Sequence, residues 1–367
     1  MKAHQSDYPL ISIVFSLVIF GLIILSSASV VLSQNASNQS YLFLKHQLIY
    51  GFGLGLIGFL ISQRIFYSHW QKLAFPLIIL SLVLLVLVFI PQLVYEHGGA
   101  NRWIEFKGFS LQPFEFVKLF FIIYLAALLS KKGEINQVIK ESLIPVSVIL
   151  GSIILLLYLQ PNMSAIGIIV IISGLIYFLA GMNISYILAA ASISLIGLFA
   201  LIKTAPYRMS RLTVFLHPEF DPQGKGYQIN QALLAIGSGG LFGLGLGHSI
   251  QKWKYLPEPI GDSIFAIVAE ELGLAGAGAL VILFALLAWR GIKITKNAPD
   301  KFSFLLAGGI TSWFFFQSFI NMAAISGLMP LTGTTLPFVS YGGSSMVASL
   351  IGVGVLINIS KYTKIKT

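Results

Sequence analysis

The sequence consists mostly of long apolar runs separated by short polar stretches, and this repetition constrains the fold more than any other feature. The runs cover approximately residues 9–33, 47–63, 73–94, 113–130, 142–160, 164–181, 184–202, 263–289, 302–326 and 340–360. Most are close to the roughly 20 residues that a helix needs to cross a bilayer. No alternating-strand pattern is present, and backbone in lipid must satisfy its own hydrogen bonds. We therefore predict an all-α polytopic membrane protein with about ten transmembrane helices.

The composition agrees with this fold class and leaves little sequence for anything else. Of 367 residues, 56% are hydrophobic and only 10% are charged, and the mean hydropathy is +0.87. We predict a single integral membrane domain over residues 1–367, whose longest segment outside the spans covers about 203–262. The first run lacks the flanking pattern of a signal peptide, so we expect it to be retained as a span.

The basic residues are unevenly distributed between the two sides that alternate along a chain of spans. With the N-terminus inside, the short outer loops hold only Lys45, Arg102 and Lys107. The inner loops and the tail hold Arg64, Lys72, Lys131, Lys132, Lys140, Arg290, Lys293, Lys296, Lys301, Lys361, Lys364 and Lys366. This asymmetry predicts that both termini are cytoplasmic and that the long loop between helices 7 and 8 is extracytoplasmic. The formal charge of +10 thus indicates orientation against membrane lipids and not a nucleic-acid partner.

The sequence contains no strong metal-binding pattern. Cysteine is absent, which excludes thiolate sites and disulfides, and the six histidines show no spacing typical of a metal site. No cofactor is predicted with certainty, and participation of a divalent cation stays open.

A glycine-rich stretch inside the long loop resembles a span in hydropathy but not in composition. Residues 228–247 contain three amides, and six glycines follow position 236. We interpret this stretch as a re-entrant or interfacial segment that packs on protein. Two roles for its glycines stay open, namely close backbone packing or a cradle of N–H groups for a lipid pyrophosphate.

Carboxylates cluster where the long loop meets the following span. Glu258 and Asp262 precede the run, and Glu270 and Glu271 lie inside it. Ionisable groups at the edge of a span are costly and therefore indicate a functional site. Asp262 is compatible both with an N-cap and with a general base. Glu270 lies about 12 Å deeper, at 1.5 Å per residue, and is predicted to make a buried helix–helix contact.

A second charged pair opens the fourth span. Glu115 and Lys118 follow Pro113, a residue typical of the first helical turn, and they are neighbours on one helix face. They either form an ion pair that orients the helix or place Lys118 toward an anionic substrate. Arg102, Arg208 and Arg211 in outer loops form a candidate surface for an anionic ligand, with contact to lipid headgroups as the alternative.

Several motifs, taken together, resemble one family over nearly the whole chain. They are Arg102-Trp103, Gln112-Pro113-Phe114-Glu115-Phe116-Val117-Lys118, Tyr207 to Leu212, Gly237 to Gly243, Leu256-Pro257-Glu258, Asp262 to Ala266, Glu270 to Gly273, Gly327 to Pro330 and Leu336 to Ser345. In this order they resemble the SEDS family, the FtsW/RodA/SpoVE group. The spacing from Gly245 to Lys252 is closer to the FtsW branch.

The resemblance implies a ten-span peptidoglycan glycosyltransferase that polymerises lipid II at the outer face of the cytoplasmic membrane, in cell division or cell-shape maintenance. Its essential aspartate would be Asp262. Substrate-binding positions would include Lys118, Glu115, Arg102, Arg208, Arg211, Glu258 and Ser344. The implied partners are lipid II, the growing glycan strand and a class B penicillin-binding protein that supplies transpeptidation.

The chain departs from the family pattern at two places. Ile260-Gly261 replaces a polar pair before the aspartate, and Gln160-Pro161-Asn162 replaces a Gln-Pro-Asp motif. The second change removes a charge from the expected cavity and puts a metal or proton role there in doubt. Two alternative functions stay open, a lipid II flippase and a non-catalytic scaffold of the division machinery. The polar residues favour the outer face, whereas a flippase should line its cavity at both leaflets.

Overall fold

The computed structural model describes residues 4–37, 39–92, 94–97, 100–106, 109–131, 135–203, 206–217, 221, 223–224, 226–253 and 255–363. The helices are α1 (Tyr8–Ala28), α2 (Val30–Ser37), α3 (Leu42–His46), α4 (Leu54–Ser62), α5 (Ser68–Leu87), α6 (Pro113–Leu129), α7 (Ile135–Leu159), α8 (Met163–Leu179), α9 (Ile184–Lys203), α10 (Pro206–Leu216), α11 (Tyr227–Ser238), α12 (Ile264–Lys296), α13 (Lys301–Ile325) and α14 (Gly343–Ser360). A π-helical segment, Gln47–Gly53, joins α3 to α4. A small antiparallel sheet follows α5, with strands β1 (Val94–His97), β2 (Ala100–Phe106) and β3 (Phe109–Leu111).

The structure confirms the predicted all-α polytopic class. Within the described residues, seven helical segments are long and apolar enough to cross a membrane. They are α1, the continuous segment from α3 to α4, α5, α7, α12, α13 and α14, while α8 and the first part of α9 are shorter apolar helices. The count of ten and the side of each loop stay predictions. The segment predicted as a long loop contains two helices, α10 and α11.

Both described ends of the chain meet at one end of the helix bundle. The amide of His4 donates to the carbonyl of Lys361 at 2.9 Å. Nearby, Arg290 donates through two nitrogens to the buried carboxylate of Asp7, which also caps α1. We call this the terminal end of the bundle, and the opposite end, where the sheet lies, the sheet end.

A further hydrogen bond lies at the terminal end. The Tyr67 hydroxyl donates to Asp300 at 2.5 Å. Burial, followed by the bond to Asp300, raises the pKa of Tyr67 well above its usual range, so the phenol remains a donor. Because the two residues belong to different connections, this bond ties the α4–α5 and α12–α13 loops together.

Helices α6, α13 and α14 form the buried centre of the bundle. In the apolar stretch of each membrane-crossing segment, 78% of the residues are buried in α13 and 83% in α14, against 22–39% in the other five segments. Small residues permit the close approach: a Cβ on Gly309 would lie 2.6 Å from Ile122 of α6, and one on Gly354 would lie 1.9 Å from Ser62. Lipid tails are as apolar as leucine, so such close packing supplies much of the association energy in membranes.

Helix α12 is broken inside the membrane, and the glycine-rich stretch packs into the break. Gly273 adopts φ 65° and ψ −164°, which interrupts the helical hydrogen bonds. The freed carbonyls of Glu270 and Glu271 accept from Leu244 and Gly245, at 3.0 Å each. In return, Leu274 and Ala275 donate to the carbonyls of residues 240 and 241, at 2.9 and 3.1 Å.

These four main-chain bonds satisfy backbone groups that lipid could not. They also decide the role of the glycines, because a Cβ at Gly239 would lie 1.9 Å from a carbonyl oxygen of α12 and one at Gly243 would lie 2.1 Å from another. Gly239 and Gly243 therefore serve close backbone packing. Residues 239–245, predicted above to be re-entrant or interfacial, pack on α12 about two turns below its start, and we call them the re-entrant segment.

Candidate active site

The start of α6 positions the first two candidate residues. Gln112 is extended and Pro113 occupies the first helical turn, so the helix begins directly after β3. Lys118 Nζ lies 2.9 Å from Glu115 Oε2 one turn away, and both side chains are buried, at 1% and 6% exposure. Removing one partner of such a pair costs about 3–5 kcal/mol, because the other charge is left buried alone.

Gln317 of α13 completes this ion pair, and the sequence analysis did not identify it. Its Oε1 accepts from Lys118 Nζ at 2.6 Å and from the indole nitrogen of Trp313 at 2.6 Å. Its Nε2 donates to the carbonyl of Thr335 at 2.9 Å. Three bonds therefore fix the amide rotamer. The sequence did contain a signal for this residue, namely an amide side chain one helical turn after a tryptophan within an apolar run.

Aromatic rings surround the lysine as well. Its Nζ lies 5.3 Å from the centre of the Phe114 ring and 4.9 Å from that of Trp313. Ring faces attract a cation, most strongly where water is excluded. Glu115 and Gln317 occupy two of the three ammonium donors, and the third has no acceptor within the described part of the chain. This donor is available to a ligand.

Lys118 borders a cavity at the sheet end of the bundle. The cavity is small, with a volume of about 60 Å³, and it opens to solvent. Its lining comes from β2, α6, α8, α13 and the segment after α13, and consists of Arg102, Trp103, Gln112, Phe114, Glu115, Lys118, Asn162, Ala165, Ile168, Gln317, Gly333, Thr334 and Thr335. The structure thus brings together Arg102, Glu115, Lys118 and Asn162, which the sequence placed on one side.

Arg102 fastens the sheet to the turn between α7 and α8. Its Nε donates to the carbonyl of Gln160 at 3.2 Å, and its Nη2 donates to the carbonyl of Pro161. Asn162 caps α8 by accepting from the amide of Ala165 at 3.3 Å. The asparagine thus keeps the capping function that an aspartate would have, without adding a negative charge to the cavity.

Asp262 lies at the edge of this cavity and not in its wall. It does not line the cavity, but a Cβ built on Gly333, which does, would lie 4.0 Å from Asp262 Oδ2. The side chain is partly exposed. The interpretation of Asp262 as the N-cap of α12 is wrong, because Ser263 occupies that position. Asp262 precedes the cap, and its Oδ1 accepts from the hydroxyl of the cap residue Ser263 at 3.5 Å.

The backbone around Asp262 is held by two distant segments. Asn321 Nδ2 donates to the carbonyls of Asp262 and Thr334, at 2.8 and 2.6 Å. From the turn before α14, Ser340 Oγ donates to the carbonyl of Gly261 at 2.7 Å, and the amide of residue 341 donates to that of Ile260 at 2.8 Å. Ile260 is buried, so an apolar residue in place of a polar one suits this packed position.

The remaining predicted site residues have other positions. Ser344 accepts from the amide of Gln112 at 2.9 Å and donates to the carbonyl of Ser110 at 3.3 Å, so it ties α14 to the strand before α6 and does not line the cavity. Glu258 is exposed in the loop, in the left-handed region at φ 48°. Arg208 and Arg211 belong to α10, but their side chains lie outside the described residues. Their substrate-binding roles stay predictions.

The prediction of a helix–helix contact for Glu270 is wrong. Its carboxylate accepts from Ser249 Oγ at 2.5 Å and from the amides of Ile250 and Gln251, at 2.9 and 3.3 Å. The partner is therefore the loop that follows the re-entrant segment. In the described residues no group of three or more histidines and carboxylates is arranged to hold a metal ion, so the side chains present do not form a recognisable cation site.

Comparison with known proteins decides the family. Residues 8–365 match the family model for FtsW, RodA and SpoVE, described as "Cell cycle protein". The chain belongs to this family. It is 40% identical to the stage V sporulation protein E of Bacillus subtilis, over 99% of both chains. It is 39% identical to a probable peptidoglycan glycosyltransferase FtsW of Trichlorobacter lovleyi, over 99% of this chain and 95% of that one.

Solved structures of SEDS proteins share the fold. A chain from a structure titled "Structural coordination of polymerization and crosslinking by a peptidoglycan synthase complex" superimposes with a TM-score of 0.80 at 27% identity, covering 97% of this chain and 98% of that one. The rod shape determining protein RodA of Thermus thermophilus superimposes with a TM-score of 0.72 at 26% identity, covering 98% of both.

Proposed function

We propose that this multi-pass protein of the bacterial inner membrane is a peptidoglycan glycosyltransferase that polymerises lipid II at the outer face, in cell division or cell-shape maintenance. The observation that carries the proposal is the cavity at the sheet end, where a buried lysine offers a donor and Asp262 lies at the rim. The family relationship to proteins named peptidoglycan glycosyltransferase supports the same reaction. The predicted distribution of basic residues between inner and outer loops supports an outward-facing position for this end.

Asp262 is the general base in this reaction. It removes the proton from the sugar 4-hydroxyl of the acceptor lipid II as the oxygen attacks the anomeric carbon of the lipid-linked donor strand. A new glycosidic bond forms with inversion at that carbon, and the bond to undecaprenyl pyrophosphate breaks. The leaving group takes the electron pair. A carboxylate just before a helix cap, partly exposed beside a cavity, is suited to reach a substrate hydroxyl.

Basic groups in the cavity stabilise the leaving pyrophosphate. Lys118 supplies a positive charge that Glu115 and Gln317 hold in place, and Arg102, which also lines the cavity, adds a second. Preorganised donors in a water-poor site are worth more than in solution, because they need not reorganise as charge develops.

The structure gives no support to a flippase. A flippase must expose its polar cavity alternately to the two leaflets. Here the terminal end holds the buried ion pair of Asp7 with Arg290 and the hydrogen bond of Tyr67 with Asp300, while the cavity lies at the other end. A scaffold, the other alternative, would not require the buried charges of the cavity, which are costly to keep in a membrane.

Transpeptidation is expected from a separate class B penicillin-binding protein. The related structure of a peptidoglycan synthase complex concerns both polymerisation and crosslinking, which supports such an assembly. A pull-down with the purified protein as bait would identify this partner.

The decisive experiment is polymerisation of lipid II by purified protein in liposomes, with and without a class B penicillin-binding protein. Glycan strands should form with the wild-type chain and fail to form with Asp262→Asn. A folded wild-type complex that transports lipid II between leaflets but forms no strands would favour the flippase instead.

A further inference from the structure

A buried polar cluster lies beside the break in α12, away from the cavity. It joins Lys252 of the loop, Glu271 of α12 and Ser27 of α1. Lys252 Nζ lies 3.0 Å from Glu271 Oε1, and both side chains are buried, at 5% and 0% exposure. The ammonium also donates to Ser27 Oγ at 3.1 Å and to the carbonyl of Gly247 at 2.7 Å. Ser27 Oγ in turn donates to Glu271 Oε1 at 2.6 Å.

The cluster fixes one end of the loop that carries Asp262. Glu270 and Glu271 hold residues 249–252, through their carboxylates, against the first half of α12. The same half-helix, residues 264–272, begins two residues after Asp262 and ends at Gly273. The connection from Lys252 to Asp262 is thus attached to this half-helix at both ends. Asn321 and Ser340 hold the backbone of residues 261 and 262 from other segments, and the half-helix is the third attachment of Asp262.

Stability alone does not account for a buried ion pair at this place. Two charges in a low-dielectric interior cost desolvation energy that their attraction often only offsets, and apolar side chains of similar volume are commonly as stable. The re-entrant segment is already attached to α12 by four main-chain bonds. The ion pair adds direction. The Lys252 ammonium has three acceptors, and Glu271 Oε1 accepts from three donors, so this set of bonds fixes one arrangement.

We propose that Lys252 and Glu271 are positioning residues for glycosyl transfer: by locking residues 249–252 and the half-helix 264–272 into one unit with α1, they hold Asp262 at the rim of the cavity. The proposal rests on the proposed function of that cavity. Neither residue contacts the cavity, so both act through Asp262. A misplacement of about 1 Å at a reacting group can lower a rate by about 100-fold.

The test replaces the ion pair with a neutral pair of similar shape, Lys252→Met with Glu271→Gln, so that no bare charge remains. The matched control is Asp7→Asn with Arg290→Met, which removes a buried ion pair at the terminal end while keeping a capping side chain. We expect both double variants to fold. In lipid II polymerisation, the Lys252/Glu271 variant should lose about 10- to 100-fold in kcat, with KM within about 2-fold of wild type. The control should keep its kcat.

A second readout measures position without requiring activity. The chain has no cysteine, so Asp262→Cys with Gly333→Cys introduces one specific pair at a site where Gly333 faces the Asp262 side chain. Oxidation should form the disulfide rapidly when Lys252 and Glu271 are intact, and several-fold more slowly in the neutral double variant. If the double variant does not fold, Ser27→Ala, which removes one bond from each partner, should show the same changes in smaller measure.

Two results would overturn the proposal. One is an unchanged kcat and an unchanged oxidation rate in the Lys252/Glu271 variant. The other is a loss of thermal stability and activity equal to that of the Asp7/Arg290 control, which would reduce the cluster to a structural contact. A wild-type chain without polymerase activity, but with an oxidation rate that still depends on Lys252 and Glu271, would count against the proposed function and not against the positioning.

Discussion

Lys118 and Gln317, 199 positions apart in the sequence, are joined by a hydrogen bond of 2.6 Å inside the bundle. The amide oxygen that accepts this bond also accepts from Trp313, and the amide nitrogen donates to the segment that carries Gly333. The lysine of α6 is therefore oriented by α13. This bond links the charged part of the cavity to the segment beside Asp262.

Replacement of Gln317 by leucine should lower lipid II polymerisation by about 10- to 100-fold, because Lys118 loses the acceptor that orients it. The fold should persist, since leucine is of similar size. Phe319→Leu on the same helix, at a side chain 52% exposed toward lipid, is the matched control and should keep full activity. Equal activity in the two variants would remove Gln317 from the site.

Replacement of Asp262 by asparagine should abolish polymerisation, by about 100-fold or more, and leave folding intact. Ser263, not Asp262, caps α12, so the helix start is retained. Polymerisation and thermal unfolding should be measured on the same preparation. Glu105→Gln, at an exposed carboxylate of β2, is the control for loss of one negative charge. Wild-type rates in well-folded Asp262→Asn protein would exclude Asp262 as the base.

Lys118→Met alone should destabilise the protein by about 3–5 kcal/mol, because the Glu115 carboxylate is left buried without its counter-ion. The double change Glu115→Gln with Lys118→Met should recover most of that stability, since both charges are gone. Polymerisation should stay low in both variants if Lys118 binds the pyrophosphate. Thermal unfolding and strand formation together separate the two effects, and full activity in the double variant would leave only a structural ion pair.

Gly273→Ala should lower stability by at least about 2 kcal/mol and impair insertion, because its φ of 65° is unfavourable for alanine. In addition, the new Cβ would lie 2.4 Å from the amide nitrogen of Gly243. Gly278→Ala in the same helix meets no atom within 4 Å, and should be neutral or slightly stabilising. Yields and melting temperatures in detergent are the measurement. Similar values for the two variants would argue against the packed break.

The residues of the site differ in how well the local sequence pattern predicted their positions. An ion pair between Glu115 and Lys118 was one of the two alternatives that the sequence offered, because i,i+3 spacing on a helix sets their distance regardless of the rest of the fold. The role of Gln317 depends on the approach of α13 to α6, for which no local rule exists. Asp262 was located at the loop–helix junction, but which residue caps the helix depended on backbone angles that the pattern did not specify.

The sequence by itself determined the all-α membrane architecture. The thickness of the bilayer sets how many consecutive apolar residues a spanning helix needs, and the length of an apolar run is a local property of the sequence. The placement of basic residues predicts the orientation for a similar reason. Only the tertiary structure decided that α12 breaks at Gly273, that Glu270 and Glu271 hold the loop, and that Ser344 ties α14 to the strand before α6. In each case, polar groups that lack a local partner bond to a distant segment. The packing of the whole bundle decides which segment comes close enough to supply that partner.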